Sequence, residues 1–196
     1  ISGIAASDTA IIVSVRNYSP AATRMFRSTT GEQGTFSLVN DIGYQYSPAI
    51  AYGNGNFSSI LINSTMTADA NYFSTNDGLN WSLSSTNTYS QLTAIAFDGS
   101  KFVVAQSPSV IRESSDSIVW NSRTATPAGG FFYDMINGNG TFVAVGSSGI
   151  IFSSNDGITW TARTSGTTQS LQSIAWNGTV FCIVGGSGVI LTSSDG

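Results

Sequence analysis

A chain of 196 residues with 41% apolar content can bury a core of ordinary size, yet only 9% of its residues are charged, against roughly 25% in an average globular protein. Seven scattered Lys and Arg against eleven carboxylates, a net charge of −4, exclude nucleic acid and an anionic membrane surface as main partners. With no histidine and one cysteine, Cys182, imidazole chemistry, the commonest zinc ligand and an intrachain disulfide framework are all excluded, and no apolar run reaches the roughly 18 residues of a membrane-spanning helix.

Taken in order, the chain shows the same hairpin sequence five times. In the first copy Ser7-Asp8-Thr9 fills the turn without glycine, and Ile11 opens the next strand. The second turns at Gly53-Asn54-Gly55-Asn56 before Phe57, the third at Asp98-Gly99 before Phe102, and the fourth at Asn137-Gly138-Asn139-Gly140 before Phe142. In the fifth, Leu171 to Trp176 alternates as a strand and Asn177-Gly178 predicts a type I′ turn. Val180 to Val184 then reads as a central strand buried on both faces, with Cys182 a small buried hydrophobe. Gly185-Gly186-Ser187-Gly188 turns the chain again into Val189 to Ser193, and in the fourth copy Thr159 to Arg163 supplies a fourth strand.

A second landmark keeps the same period. Ser153 to Trp160 reads S-S-N-D-G-I-T-W, Ser74 to Trp81 reads S-T-N-D-G-L-N-W, a shortened S-S-D-S-I-V-W spans Ser114 to Trp120, and Ser193 to Gly196 opens another. The aromatic residues closing these copies, Phe36, Trp81, Trp120 and Trp160, are 45, 39 and 40 residues apart. A period near 40 built from antiparallel hairpins predicts an all-β chain, a β-propeller of four-stranded antiparallel blades with five repeats in view. A parallel β-helix is the runner-up, disfavoured by the hairpin turns. One propeller domain or propeller fragment, 1–196, follows, with repeats near 1–40, 41–85, 86–124, 125–164 and 165–196. The start at Ile1 and the end within a repeat predict a segment of a larger chain or assembly.

Within the marker, an Asn or Asp side chain is expected to cap the turn, a glycine to accept positive φ, and the tryptophan to pack between blades. The residues concerned are Asn76, Asp77, Gly78, Trp81, Asp116, Trp120, Asn155, Asp156, Gly157, Trp160 and Asp195. The marker resembles the Asp-box repeat of bacterial neuraminidases, Ser-x-Asp-x-Gly-x-Thr-Trp, and the S-S-D copies resemble a shorter marker of phage and bacterial surface proteins. Counted back from Trp160 and Trp81, the Asp position holds Asn155 and Asn76. The resemblance implies a propeller and, in its sialidase members, three substrate-binding arginines with a tyrosine nucleophile assisted by a glutamate. Arg16, Arg24, Arg27, Arg112, Arg123 and Arg163 show no triad spacing, and the two glutamates, Glu32 and Glu113, fall on or beside marker turns. No D-x-[DN]-x-[DN]-G calcium loop and no phosphate loop occur, so no metal, no cofactor and no catalytic residue are expected.

The face made by second-to-third and fourth-to-first strand connections is the expected ligand face. Long connections are predicted at Arg16 to Thr23 and Asn63 to Asn71, and Tyr18, Tyr44, Tyr46, Tyr89, Phe131 and Tyr133 are the candidate contacts. The expectation is a non-catalytic interaction or structural module of an extracellular or virion-surface protein. Its partner is a protein or a glycan, with no membrane insertion. A sialidase-like hydrolase or lectin is the alternative, and an assembly factor of photosynthetic membranes a weaker one.

Overall fold

Short β-branched and aromatic runs punctuated by Gly, Asn and Asp favour strands joined by tight turns, and the computed structural model consists of these. It describes residues 2–18, 21–41, 46–62, 69–74, 76–85, 92–106, 110–123 and 130–196, main chain only at 17–18, 21–22, 46–48, 61–62, 69–74 and 83–85. The first sheet comprises β1 (Gly3–Ala6), β2 (Ile11–Tyr18), β3 (Ala21–Ser28) and β4 (Ser37–Asp41). The second comprises β5 (Tyr46–Gly53), β6 (Asn56–Ile62), β7 (Asp69–Ser74) and β8 (Trp81–Ser85). The third has β9 (Leu92–Phe97), β10 (Phe102–Gln106), β11 (Val110–Ser114) and β12 (Asn121–Arg123), and the fourth β13 (Phe132–Gly138), β14 (Thr141–Gly146), β15 (Ile151–Ser154) and β16 (Thr161–Arg163). The fifth has β17 (Leu171–Trp176), β18 (Phe181–Gly185) and β19 (Ile190–Ser193). Strands pair in chain order within every sheet, as the five predicted repeats require.

The chain divides into two compact units. One holds residues 1–92 with the third marker turn, 114–119; the other holds 93–113 and 120–196. In the first unit Ile12 and Met25 of the first sheet bury themselves against Ile50 and Phe57 of the second. In the other, Val103, Ala105 and Ile111 of the third sheet enclose Phe142, Phe152 and Trp160 of the fourth, and Val143, Val145 and Ile151 of the fourth cover Leu171, Ile174, Phe181 and Ile183 of the fifth. A buried indole removes roughly 150–250 Å² from water, worth about 4–6 kcal/mol before entropy is counted. Trp120 and Trp160 hold that position at 7% and 8% exposure.

Three expectations need correction. The pair with positive φ at both central residues is Asn54-Gly55 and Asn139-Gly140, whereas at Asn177-Gly178 only the glycine is left-handed. There the Asn177 side chain accepts the Thr179 and Val180 N–H groups, each at 2.9 Å, and this cap shapes a longer loop in place of a type I′ turn. Arg16 to Thr23 is no long connection, because the β2–β3 ladder continues through Arg16↔Thr23 to Tyr18↔Ala21; residues 63–68 lie outside the described residues. Finally, β18 is buried on one face only. Phe181 and Ile183 face the fourth sheet, while Cys182 is half-buried and Val184 is 43% exposed.

Candidate functional site

The marker turns are built from hydroxyls and carboxylates acting on backbone N–H groups. In the fourth sheet Ser154 Oγ accepts from Asp156 N at 3.3 Å and Gly157 N at 2.9 Å, and Asp156 Oδ1 accepts from Ile158 N and Thr159 N, both at 2.7 Å. The Thr159 N–H is the largest influence on the Asp156 carboxyl and, with the Ile158 N–H and the Ser154 hydroxyl, outweighs burial to hold it down at about 2. Asp156 is therefore the cap. Asn155, which counting back from Trp160 puts at the Asp position, instead accepts from Thr141 Oγ1 at 3.1 Å. In the second sheet the cap is likewise Asp77, accepting from Leu79 N at 3.0 Å, and Asn76 offers its carbonyl to Ser7 Oγ at 3.4 Å.

The third copy is not shortened. Ser114 Oγ accepts the Asp116 N–H at 3.3 Å, as Ser154 accepts that of Asp156, and Asp116 Oδ1 accepts from Ile118 N at 2.8 Å and Val119 N at 2.9 Å. Burial, the largest influence, pushes the Asp116 carboxyl up, but the Val119 and Ile118 N–H groups and the Ser114 hydroxyl together bring it below the usual range. In the first copy Ser28 holds the Thr30 and Gly31 N–H groups, and Ser193 holds those of Asp195 and Gly196. The turns lean on the preceding sheet: a Cβ at Gly157 would lie 2.9 Å from Val103 Cγ2, and Arg27 Nε donates to the Asp77 carbonyl.

The other face is formed in the fourth and fifth sheets by tight second-to-third turns and the connection after β16. An open trough of about 680 Å³ lies there, lined by Ser148, Gly149, Ile150, Arg163 and residues 164–168. Gly149 has φ +75, and a Cβ on it would meet the Thr167 carbonyl oxygen at 2.0 Å. Only glycine lets the connection cross so closely. Ser147 ties this turn to the entry of β13, donating N–H to the Phe131 carbonyl at 2.9 Å and accepting the Phe131 N–H on its hydroxyl at 3.0 Å. Phe131 and Tyr133 stand beside it, 49% and 40% exposed.

Of the aromatic candidates, then, Phe131 and Tyr133 lie exposed at the start of β13. Tyr18 and Tyr46 are described as main chain in β2 and β5, and Tyr44 and Tyr89 lie outside the described residues. The residues missed by sequence reading are Ser148, Arg163 and Thr164 to Thr168, because a Gly/Ser/Thr linker looks featureless until the crossing at Gly149 shapes it. Among the described residues Arg163 is the one charged side chain of the trough, and its Nε donates to Ser153 Oγ at 2.7 Å. In the third sheet Arg123, in the same slot, pairs with Glu113, which Lys101 also approaches at 3.9 Å. Arg24 pairs with Asp41 and Arg112 donates to Gln106 and Ser122, so these described arginines are committed to separate neighbours. Among the described residues no three His, Cys, Asp or Glu side chains gather as a metal site would need.

A family model for the DUF6242 beta propeller domain matches residues 75–196. The chain belongs to that family. No curated protein sequence matches it. Among solved structures it is similar to YCF48 bound to D1 peptide, with 17% identity, TM-score 0.68, covering 99% of this chain and 63% of that one. It is also similar to the GH74 enzyme of Niastella koreensis, with 17% identity, TM-score 0.65, covering 98% of this chain and 30% of that one. A chain of a mitotic checkpoint complex gives 8% identity, TM-score 0.72, and coverage of 99% and 62%. This DUF6242 chain thus spans less than two thirds of the length of each of the three. At these identities the likeness speaks for the fold, which is a β-propeller of antiparallel blades.

Proposed function

We propose that this propeller is a non-catalytic interaction module whose ligand face carries Phe131, Tyr133 and the trough at Arg163, in an extracellular or virion-surface protein. The observation that carries the reading is the exposure of Phe131 and Tyr133 at the start of β13, where Phe131 is bonded to Ser147, the residue before a trough lined by hydroxyls, backbone amides and one guanidinium. Such a surface stacks on a flat apolar group and hydrogen-bonds an extended polar one, which suits a peptide segment or a glycan. YCF48, a structural neighbour, was solved with a peptide bound, which favours the protein partner. A surface of hydroxyls and amides with 9% charge favours the extracellular or virion setting, and protease accessibility of the chain on intact particles or cells tests it.

Peptide and glycan arrays probed with the chain and with Phe131→Ala/Tyr133→Ala test the binding face. Loss of binding with an unchanged melting curve is expected. Undiminished binding, or turnover of a glycoside by the chain, would sink the reading. The sialidase-like alternative requires three arginines on one ligand, and the separate partners of Arg24, Arg112 and Arg123 count against it. We read the marker turns as Asp-box-like with the aspartate one place later, since Asp156 and Asp77 cap where the pattern has its Asp earlier. The photosynthetic assembly reading draws on fold likeness at 17% identity and on no residue of this chain.

A further inference from the structure

In the unit of residues 93–113 and 120–196 two hairpin turns are built alike. Asp98 to Lys101 joins β9 to β10, and Asn177 to Val180 joins β17 to β18. In the first, Asp98 Oδ1 accepts the Ser100 N–H, the Ser100 hydroxyl and the Lys101 N–H, each at 2.8 Å. In the second, Asn177 Oδ1 accepts the Thr179 and Val180 N–H groups, each at 2.9 Å. The main-chain bond closing the loop matches too, from Asp98 N–H to the Lys101 carbonyl at 3.2 Å and from Asn177 N–H to the Val180 carbonyl at 3.3 Å. So does the left-handed glycine, φ +99 at Gly99 and +97 at Gly178. Burial, the largest influence, pushes the Asp98 carboxyl up, but the Lys101 and Ser100 N–H groups and the Ser100 hydroxyl bring it below the usual range. This turn is therefore made to hold an anion at its cap, and the fifth copy places an amide there.

In an Asn-Gly pair the following amide nitrogen reaches the side-chain carbonyl with no Cβ in its way. At Asn177 that carbonyl is already polarised, because two N–H groups lie at oxyanion-hole distance from Oδ1, where negative charge gathers when Cγ is attacked. Residues 177–179 are exposed to water, and the Gly178 N–H has no acceptor among the described residues. The other Asn-Gly pairs are held differently. Asn54 and Asn139 are left-handed, φ +48 and +51, in two-residue loops closed by Gly53↔Asn56 and Gly138↔Thr141, a conformation with a narrow range of ψ. Asn137 lies within β13 opposite Phe142, its side-chain nitrogen buried.

We propose that Asn177 is a modification site, at which the folded turn promotes deamidation to aspartate and so gives the fifth copy the cap that Asp98 gives the third. Gly178 N bonds to Asn177 Cγ and loses its proton to water, Oδ1 takes up the negative charge, and Nδ2 leaves as ammonia. Water then adds to Cγ of the cyclic imide, the new C–N bond breaks, Gly178 N regains a proton and a carboxylate remains. The two N–H groups on Oδ1 direct water to Cγ, which yields aspartate; attack at the Asn177 main-chain carbonyl would yield isoaspartate and lengthen the backbone inside the loop. The hydrogen bonds of the cap become charge-assisted in the product. None of this depends on the ligand face described above.

The intact chain, aged in mildly alkaline buffer with and without urea, gives the test. Digestion and mass spectrometry locate the mass gain, and isoaspartyl methyltransferase distinguishes isoaspartate from aspartate. In native buffer Asn177 should change ahead of Asn54, Asn137 and Asn139, with aspartate the major product; in urea the four pairs should react at similar rates and open mostly to isoaspartate. Asn177→Asp should melt no lower than the parent and keep the Thr179 and Val180 amides protected from exchange. A native Asn177 no faster than the other three, an order of reaction that urea leaves unchanged, isoaspartate as the major native product, or a lowered melting temperature for Asn177→Asp would overturn the proposal.

Discussion

The turn at Asp116 and the turn at Asp156 share one cap and differ in the middle. Gly157 occupies a left-handed position, φ +69, and its carbonyl accepts the Trp160 Nε1–H at 3.2 Å. At the matching place the third copy has Ser117, φ +62 and fully buried, whose hydroxyl has no partner among the described residues, and Trp120 Nε1 also has none among them. A non-glycine in that region and a buried polar group without a bond each cost about 1–3 kcal/mol. The cap alone thus fixes the path of the chain, while the residue behind it sets how well the turn is satisfied.

The largest expected effect comes from removing the tryptophans. Trp160→Ala should cost about 3–5 kcal/mol through the cavity it leaves, and Trp120→Ala about 1 kcal/mol less because its indole N–H forfeits no bond; chemical denaturation of both variants measures the difference. Converting the better turn into the poorer comes next. Gly157→Ser should cost about 1–3 kcal/mol, since φ is positive and its Cβ would sit 2.9 Å from Val103 Cγ2. The reverse change, Ser117→Gly, should stabilise by about 1 kcal/mol, partly offset by the freer unfolded chain, and a lowered midpoint would reject the strain argument.

The smallest effect is electrostatic. The Asp156 carboxyl is lowered in the folded chain from 3.8 to about 2, so its contribution is fully present above about pH 4 and is lost as pH falls toward 2. Asp156 is solvent-exposed, so salt screens the contribution. Melting temperature against pH should decline between pH 4 and 2, and Asp156→Asn should flatten part of that decline; parallel curves would reject the cap.

Sheet number and strand order were legible because two landmarks kept one period and the turns were written in Asn, Asp and Gly. The aromatic residue before each outer strand was legible too, even at Phe36, where the turn is longer. Which carboxylate caps was not, because spacing from the tryptophan places Asn155 and only the hydrogen bonds show Asp156. Nor was the trough, since Gly149 and Thr167 meet through a crossing of two connections that no periodicity encodes. The half-exposed face of β18 was misread because an apolar run shows composition and not what lies against it.

Asp134 binds the fourth and fifth sheets through a single carboxylate. Its Oδ2 accepts from Ser173 Oγ at 2.7 Å and from Ile174 N at 3.0 Å, and its Oδ1 from its own neighbour Met135 N at 2.8 Å. Both inner strands carry an irregularity at this level, between Phe132 and Asp134 and between Leu171 and Ser173. One repeat's kinked edge is thus completed by its neighbour's side chain, which makes the order of repeats along the gene a matter of fit: copies shuffled or deleted by recombination would have to bring a matching acid with them.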